Sequence, residues 1–429
     1  MQKSEVRSQK SEDRDQRSEI KGQMLKTGSH RNSQSEIRNL KLNGAKLSFW
    51  KIVAVFIAVV GVYSLFVRFT KGLGASTNLS DFVPWGLWIG IDFIGVGLAA
   101  AGFTIAATAH IFHNHKYESI ARPAILSAYI GYMMVVALLV IDLGKPENFW
   151  HPLVMWNIHS VMFEITWCVI CYSTILTIEF APVVLEKYKF DKLLKIIKKI
   201  TPAAVILGVL FSTLHQSSFG SLYLIVPAKV YPLWYSSFLP VHFFISCIAA
   251  GLSMIILSAY LCARAFKQGL NIRILSGLGK GVLAVLIIEL VFKFVELYST
   301  GKFSLLFAQT GETYFFWLEI FLGSVIPIWI LANPKYKVNR TGLYFASIFT
   351  ISGFILNRMN VCVTSLVRSS GQSYSPSFEE VGITLFLILV SVLAFKFIVE
   401  NFRVFEEKIH EEVEVSKEEI ETKDLIFDK

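Results

Sequence analysis

The chain has 429 residues, of which 54% are hydrophobic and 17% charged, a balance that excludes an ordinary soluble protein and is typical of a polytopic membrane protein. The formal net charge of +9 is small for this length and gives no reason to expect a nucleic-acid partner. The five cysteines form no disulfide-like framework; Cys168 and Cys171 have CxxC spacing, but no second pair accompanies them, so we interpret them as packing residues.

Both ends of the chain differ in composition from its middle. The first 48 residues are rich in Ser, Gln, Lys, Arg and Glu, and such segments bury too little apolar surface to fold. We therefore expect residues 1–48 to form a disordered polar tail, and no cleavable signal pattern precedes the first apolar run. Residues 401–429 are rich in Glu and Lys and are predicted to form a charged C-terminal tail.

Between these tails lie ten apolar segments, each close to the length of about twenty residues that crosses a bilayer. We expect spans over residues 50–69, 84–110, 123–143, 158–180, 202–226, 239–262, 278–298, 315–333, 341–359 and 381–400. Their short connections favour antiparallel neighbours. The sequence thus predicts an all-α integral membrane protein in which residues 49–400 form a bundle of about ten transmembrane helices.

Lysine and arginine are distributed unevenly over the connections. Alternate loops carry one such residue each, whereas every loop of the other set carries at least two, including the run of lysines between 187 and 199. The richer set shares its side with the basic N-terminal tail. By the positive-inside rule, both termini are expected to be cytoplasmic, in a multi-pass protein of the cytoplasmic (inner) membrane.

The second span carries a carboxylate in its interior. Asp92 follows Pro84 by eight residues, so it lies roughly 12 Å into the span at the rise of an α-helix. A carboxylate at this depth must be neutral, paired or hydrated, and it usually marks a ligand site or an ion pathway. We therefore take Asp92 as a functional candidate.

The extracytoplasmic loop between spans three and four contains Asp142-Leu-Gly-Lys-Pro and then Met155-Trp-Asn-Ile-His-Ser-Val-Met-Phe-Glu. Its last residues bring His159 and Glu164 into span four. Five residues separate them, so they point about 140° apart around the helix. Aromatic belts account for tryptophans at any membrane interface, but they do not account for the histidine or the carboxylate.

Span five contains Leu-His215-Gln-Ser-Ser-Phe-Gly-Ser221, an unusual run of hydrogen-bonding side chains in an apolar segment. Serines can bond back to their own helix, which is a structural explanation for Ser217 and Ser218. His215 and Gln216 are either ligand contacts or satisfied interhelical contacts, and the sequence favours neither.

Span seven places Glu289, Lys293 and Glu296 at i, i+4 and i+7, on one helix face. A structural ion-pair ladder and a proton relay both fit this spacing, since pumps and transporters use such chains. Glu319 of span eight is expected in the same outer half of the bilayer.

Haem ligation by two histidines requires imidazoles that face each other at matched depth. His159, His215 and His242 all fall in the outer half, and none repeats on one helix at the spacing of two stacked haems. The pattern leaves room for one haem and not for two. The cluster between His110 and His115 is expected at the cytoplasmic boundary.

Taken together, four segments resemble the NrfD/PsrC (polysulfide reductase) family of membrane subunits. They are Asp-Phe-Val-Pro-Trp-Gly-Leu-Trp-Ile at 81–89, Asp-Leu-Gly-Lys-Pro at 142–146, the run 155–164, and Thr-Leu-His-Gln-Ser-Ser-Phe-Gly-Ser-Leu at 213–222. Within the family, the resemblance is greatest to the HybB-type membrane subunit of periplasmic nickel–iron hydrogenase-2. It covers about residues 50–400.

The resemblance implies a quinone-reactive subunit of a respiratory oxidoreductase, expected to be a nickel–iron hydrogenase, in anaerobic electron transport. An iron–sulfur subunit and the catalytic subunit are expected to dock at the extracytoplasmic face and pass electrons to menaquinone or another quinone. The chain itself is expected to carry neither haem nor iron–sulfur cluster, and not to be catalytic alone.

Quinone reduction requires hydrogen-bond donors at two carbonyls and two protons from titratable groups. We expect the quinone head to contact His159, His215 and Gln216, with Trp85 and Trp156 as walls. Asp92 and Glu164 are expected to supply protons, and Glu289, Lys293 and Glu296 form the candidate relay.

Two alternatives remain open. The first keeps the fold and replaces the hydrogenase by a molybdoenzyme or a multihaem cytochrome. The second is of another class, a proton-coupled secondary transporter that uses the charges of span seven. Internal symmetry would favour transport, and the sequence shows no clear repeat.

Overall fold

The computed structural model describes residues 49–106, 118–266, 271–402 and 404. The polar tail, the histidine cluster 110–115 and nearly all of the charged C-terminal tail lie outside these residues. The chain forms two compact units, Met1–Phe56 and Ile57–Lys429. Of the first unit, the structure describes the two helical turns from Phe49 to Phe56, whose side chains are mostly exposed.

Every regular element in the described ranges is helical. This agrees with a membrane location, because a chain in the bilayer must satisfy its backbone hydrogen bonds within each helix or within a closed barrel. The long helices are α1 Phe49–Lys71, α2 Leu87–Ala106, α3 Glu118–Asp142, α4 Val161–Tyr188, α5 Asp191–Leu224, α6 Leu239–Phe266, α7 Ile272–Ser299, α8 Gly311–Ala332, α9 Arg340–Ser370 and α10 Phe378–Asn401. Short helical turns occupy Leu73–Ser76, Pro146–Asn148, His151–Val154 and Phe303–Phe307.

Each expected span falls on one long helix. Eight helices in the described part of the chain are long and apolar enough to cross a membrane, judged by length and composition alone. Helix α5 is not among these eight, and the apolar part of α2 is the shorter segment Leu87–Ala99. The all-helical membrane fold is therefore confirmed, whereas the count of ten spans and the cytoplasmic termini stay predictions.

The helices of the second unit pack around α6. Neighbours in the chain form the pairs α2–α3, α4–α5, α6–α7 and α8–α9, and α6 also contacts α2, α5 and α9. Helix α10 packs on α3. The arrangement gives two groups of four helices, α2–α5 and α6–α9, that meet along α6.

Two helices contain a single π turn each. Helix α8 is interrupted at Phe321–Val325, and α9 at Asn360–Thr364. A π turn adds one residue to a helical turn, changes which side chains face a neighbour and is frequent at functional sites. Both turns lie close to the charged residues described below.

A buried carboxylate anchors the beginning of α2 to the beginning of α10. Glu380 is fully buried and accepts hydrogen bonds from the Tyr374 hydroxyl at 2.5 Å, the Ser377 amide at 2.8 Å and the Asn78 amide at 3.1 Å. The Tyr374 hydroxyl accepts in turn from the Leu87 amide at 2.7 Å. The first turn of α2, which precedes Asp92, is thereby held in place.

Helices α8 and α9 touch backbone to backbone where Gly323 of the α8 π turn meets Gly353. A Cβ at Gly353 would overlap the Cα of Gly323. Small residues allow such close crossings in membrane proteins. This crossing fixes the spacing of the two helices beside the charged cluster.

We predict that Gly353→Ala lowers the free energy of unfolding by about 1–3 kcal/mol, because the added methyl forces the two backbones apart. The measurement is the thermal unfolding temperature of the purified protein in detergent. Gly131→Ala in α3 is the control, since a Cβ there meets no atom within 4 Å. Equal unfolding temperatures for the two variants would contradict the close crossing.

Candidate functional site

Buried polar side chains collect in the interior of both helix groups. The first collection, which we call the α2–α5 cluster, consists of Asp92, Tyr132, Tyr172, Ser212, His215 and Gln216. Each of them is at most 1% exposed. A polar group buried in an apolar bundle without a partner costs free energy, so these residues need an explanation.

The centre of the α2–α5 cluster is a hydrogen bond between the Tyr132 hydroxyl of α3 and Nδ1 of His215 of α5, at 2.7 Å. In the described part of the chain, Nε2 of His215, both amide atoms of Gln216 and both carboxylate oxygens of Asp92 have no hydrogen-bond partner. Donors and acceptors are thus left free on two neighbouring helices, α2 and α5. This set is suited to a small polar head group.

An aromatic wall runs from the edge of the bundle to His215. Ring centroids are separated by 5.0 Å between Trp85 and Tyr223, 5.9 Å between Tyr223 and Phe93, and 4.5 Å between Phe93 and Phe219. Phe219 lies 4.5 Å from the His215 ring. Trp85 is half-buried, and the others are buried. The rings thus form a continuous row of contacts from Trp85 to His215.

The structure does not bring every expected residue to this cluster. His159 and Trp156 are exposed on the loop before α4, and the Trp156 indole donates to the Leu153 carbonyl at 3.0 Å. Glu164 is exposed in the first turn of α4 and accepts a hydrogen bond from Ser218 of α5 at 2.7 Å. Its partner lies on the same helix as His215, so Glu164 is joined to the cluster through α5.

The second collection lies among α6–α9 and contains charges. We call it the α6–α9 cluster, and it comprises His242, Glu289, Lys293, Glu296, Glu319 and Arg358. Its strongest contact is the ion pair between Lys293 and Glu319, with a distance of 2.8 Å between Nζ and Oε1. Sequence spacing placed Glu289, Lys293 and Glu296 on one face, and all three line one cavity.

Glu319 is 3% exposed and has a complete set of donors. Besides Lys293, it accepts hydrogen bonds from the Trp234 indole at 2.9 Å, the Asn357 amide at 2.8 Å and the Asn360 amide at 3.0 Å. Asn360 opens the π turn of α9, which aims this amide at the carboxylate. Glu319 is therefore held as an ionised, fully hydrogen-bonded group.

Arg358 is buried, and no carboxylate of the described residues forms an ion pair with it. Its guanidinium donates to the Asn357 side chain at 2.5 Å, the Ser246 hydroxyl at 2.7 Å and the Phe243 carbonyl at 3.0 Å. It also lies 3.8 Å from the ring centroid of Phe243 and 4.4 Å from that of Phe354, in cation–π geometry. Polar oxygens and ring faces thus replace a counter-ion.

His242 and Glu296 are joined by a hydrogen bond, with 2.8 Å between Nε2 and Oε2. The other oxygen of Glu296 accepts from the Ser236 hydroxyl. Two small cavities of about 30 Å³ each follow one another here, and both are lined by Glu289, Lys293 and Asn357. The charges therefore lie along a polar path and not in one pocket.

A family model described as "Polysulphide reductase, NrfD" matches residues 75–369, a range that contains both clusters. The chain belongs to the NrfD family. This membership and the helices long enough to cross a bilayer make it a multi-pass integral membrane protein. The expected family is confirmed.

Three relatives align over most of their length. A protein of Nitratidesulfovibrio vulgaris is 36% identical over 86% of this chain and 98% of its own. The probable Ni/Fe-hydrogenase 2 b-type cytochrome subunit of Escherichia coli is 29% identical over 80% of this chain and 90% of its own. The integral membrane subunit of menaquinone reductase of Nitratidesulfovibrio vulgaris is 26% identical over 81% of this chain and 90% of its own.

Sequence reasoning did not assign roles to His242, Glu319 or Arg358 in this NrfD-family chain. The signal was present, because a charged residue within an apolar segment is a functional candidate by default. What was missing was the partner: Glu319 is 26 residues from Lys293 and 41 from Asn360. Only folding brings these groups within bonding distance.

We predict that Lys293→Met destabilises the fold by about 3–5 kcal/mol, because it leaves the Glu319 charge buried without its cation. Adding Glu319→Gln should restore most of the loss, as measured by thermal unfolding in detergent. Lys396→Met is the control, since Lys396 pairs with Glu400 on an exposed face at 3.7 Å and should change stability by about 0.5 kcal/mol or less. A double variant as unstable as the single one would contradict the buried pair.

Proposed function

We propose that this chain is the quinone-reactive membrane subunit of a respiratory oxidoreductase, with a nickel–iron hydrogenase as its catalytic partner. An iron–sulfur subunit docked at the extracytoplasmic face passes electrons through it to a menaquinone-type quinone. The names of two relatives, a menaquinone reductase subunit and a hydrogenase subunit, support this proposal. The observation that carries it is the set of unpartnered polar atoms in the α2–α5 cluster beside an aromatic wall.

The chemistry of the cluster fits a quinone head. With the Tyr132 hydroxyl donating to Nδ1, the free Nε2 of His215 bears the proton and can donate to one quinone carbonyl. The Gln216 amide can donate to the second. Trp85 and the rings behind it then pack against the quinone plane, and the quinone tail lies in the apolar surroundings.

Reduction to quinol takes two electrons and two protons, which this chain must deliver to the carbonyl oxygens. In this proposal, Asp92 is the buried proton donor. Glu164 takes protons from the surface and hands them inward through its hydrogen bond with Ser218. His159 and Trp156, exposed on the preceding loop, are assigned to the entrance, where the quinone head first meets the chain.

The electrons come from the partner in this proposal, and the chain holds neither haem nor iron–sulfur cluster of its own. The exposed apolar residues of α1 and α10 belong to the lipid contact. The chain alone therefore has no electron donor, and activity requires the complex.

We predict that His215→Ala lowers quinone-dependent turnover of the purified complex by about 10²–10⁴-fold, the usual contribution of a positioned acid–base group. Electron transfer from the catalytic subunit to a soluble dye should be unchanged, and the subunits should still copurify. Thr213→Val is the control on the same helix, because its hydroxyl donates to the Val209 carbonyl of its own helix and to no other group of the described residues. Unchanged quinone kinetics in His215→Ala would remove this residue from the site.

A second activity, proton translocation driven by the quinone reaction, is supported by the α6–α9 cluster. Its charged groups connect two successive cavities, as a relay through Glu296, Lys293 and Glu289 would require. The same cluster would serve a proton-coupled transporter, the proposal of a different class. Proton movement that needs no quinone would favour the transporter.

We predict that Lys293→Met combined with Glu319→Gln lowers the charge moved per electron in proteoliposomes, because the relay loses its central cation. The double variant is used since it removes both partners of the buried pair. Quinone turnover should persist in uncoupled liposomes. Charge movement equal to that of the unmodified complex would leave these residues with a structural role.

A further inference from the structure

The core of the α6–α9 group is divided along its length. The half near the C-terminal end of α7 contains the α6–α9 cluster. The opposite half is filled by buried aliphatic side chains, which we call the apolar layer: Leu252, Ile255, Ile256, Leu275, Leu278, Val282, Leu331 and Leu343. The small hydroxyls of Ser253, Ser276 and Ser347 lie among them. The core of the α6–α9 group thus consists of a polar half and an adjoining apolar half.

The two cavities follow the same division. The first is lined by Lys302 and Thr300 at the end of α7 and extends to Glu289, and the second extends from Glu289 to Leu286. From Leu286 to Ser299, the last residue of α7, the helix rises by about 20 Å. The neighbouring helices agree, since α6 contributes His242 to the first cavity and Ser246 to the second. The polar path therefore begins at one end of the bundle and stops at the apolar layer.

The carboxyl groups along this path differ in the number of hydrogen bonds and ion pairs that they form. Glu319 has four donors, and Glu296 is bonded to His242 and Ser236. Glu289 has neither a hydrogen bond nor an ion pair within the described residues, although it lines both cavities. A carboxyl in such a position is held neutral or must be balanced by a nearby charge.

The charges that face Glu289 come from every element around it. They are His242 on α6, Lys293 and Glu296 on α7, Glu319 on α8 and Arg358 on α9, with the Cys247 thiol of α6 nearby. Lys302 lies at the mouth of the first cavity and donates to the Tyr235 carbonyl at 2.7 Å. Three carboxyl groups thus stand against the buried cations Lys293 and Arg358 and, at the mouth of the cavity, Lys302.

A buried cluster is stable when its charges balance, because an uncompensated ion in the bilayer costs several kcal/mol. Lys293 balances Glu319 directly. Glu296 is hydrogen-bonded to His242 and Ser236 and faces Lys302. Glu289 and Nδ1 of His242 are left without a hydrogen-bond partner among the described residues. These two groups can therefore take up a proton, as a neutral carboxyl on Glu289 or as an imidazolium of His242 opposite Glu296. Both positions line the first cavity.

We propose that the α6–α9 cluster is a proton-loading site, in which Glu289 and His242 carry one exchangeable proton that enters only from the end of the bundle marked by Lys302. This inference rests on the proposed relay and deepens it. The proton leaves an N–H of the His242 imidazolium and forms an O–H on the Glu289 carboxylate, or the reverse, so the net charge of the cluster is unchanged. The apolar layer closes the route to the opposite face.

The test is the infrared difference spectrum between acidic and alkaline buffer, recorded on the purified complex without quinone turnover. A protonated-carboxyl band sensitive to deuterium exchange should be lost in Glu289→Gln and kept, at a shifted frequency, in the conservative variant Glu289→Asp. Glu400→Gln is the control, because this carboxyl lies on an exposed face of α10. His242→Gln should move the pH midpoint of the band. A band that persists in Glu289→Gln overturns the proposal.

The one-sided access is tested in liposomes that contain the complex in a known orientation. A pH jump on the side of Lys302 should change the carboxyl band, and the same jump on the other side should not change it before the gradient decays. Equal loading from both sides overturns the one-sided route. Since no quinone is needed, failure here leaves the quinone proposal standing, and failure of His215→Ala to affect turnover leaves this one standing.

Discussion

The ion pair between Lys293 and Glu319 is the interaction on which the α6–α9 group depends. A charge inside an apolar bundle has to be balanced where it stands, and removing one partner of such a pair costs far more than an exposed pair ever contributes. Glu319 joins α7 through Lys293, α9 through Asn357 and Asn360, and the segment before α6 through Trp234. One carboxylate thereby fixes the mutual positions of several elements.

The two clusters on either side of α6 differ in whether their buried polar groups have hydrogen-bond or ion-pair partners. In α6–α9, nearly every charged group meets a partner, so the cluster is organised around charge. In α2–α5, Asp92, Gln216 and Nε2 of His215 have none among the described residues. Groups that are costly to bury and left without partners are suited to a ligand, whereas paired groups are suited to holding or moving a proton. This difference is the reason for assigning the quinone to the first cluster and proton loading to the second.

The helices, the family and several residues of the two clusters could be predicted from the sequence. The apolar lengths predicted the helices, and the four short motifs predicted the NrfD family that the comparison confirms. Asp92, His215 and Gln216 are buried within their helices, and their positions along these helices follow from helical rise alone; their role in a site stays a prediction. The positions of His159 and Trp156 could not be predicted from the sequence, because they depend on the loop before α4, which leaves both side chains exposed. Glu319 and Arg358 were visible as charges but had no partner until the chain was folded.

The sequence by itself determined which segments are helical and how deep each charge lies, because both depend on local composition and on the fixed rise of a helix. It also placed Glu289, Lys293 and Glu296 on one face, since that depends on the helical period. The tertiary structure alone decided which helices exchange contacts. Tyr132 reaches His215 across 83 positions of the chain. The π turns of α8 and α9 change the facing of their side chains, and one of them turns Asn360 towards Glu319. Such pairings depend on packing between distant segments, and no local pattern encodes them.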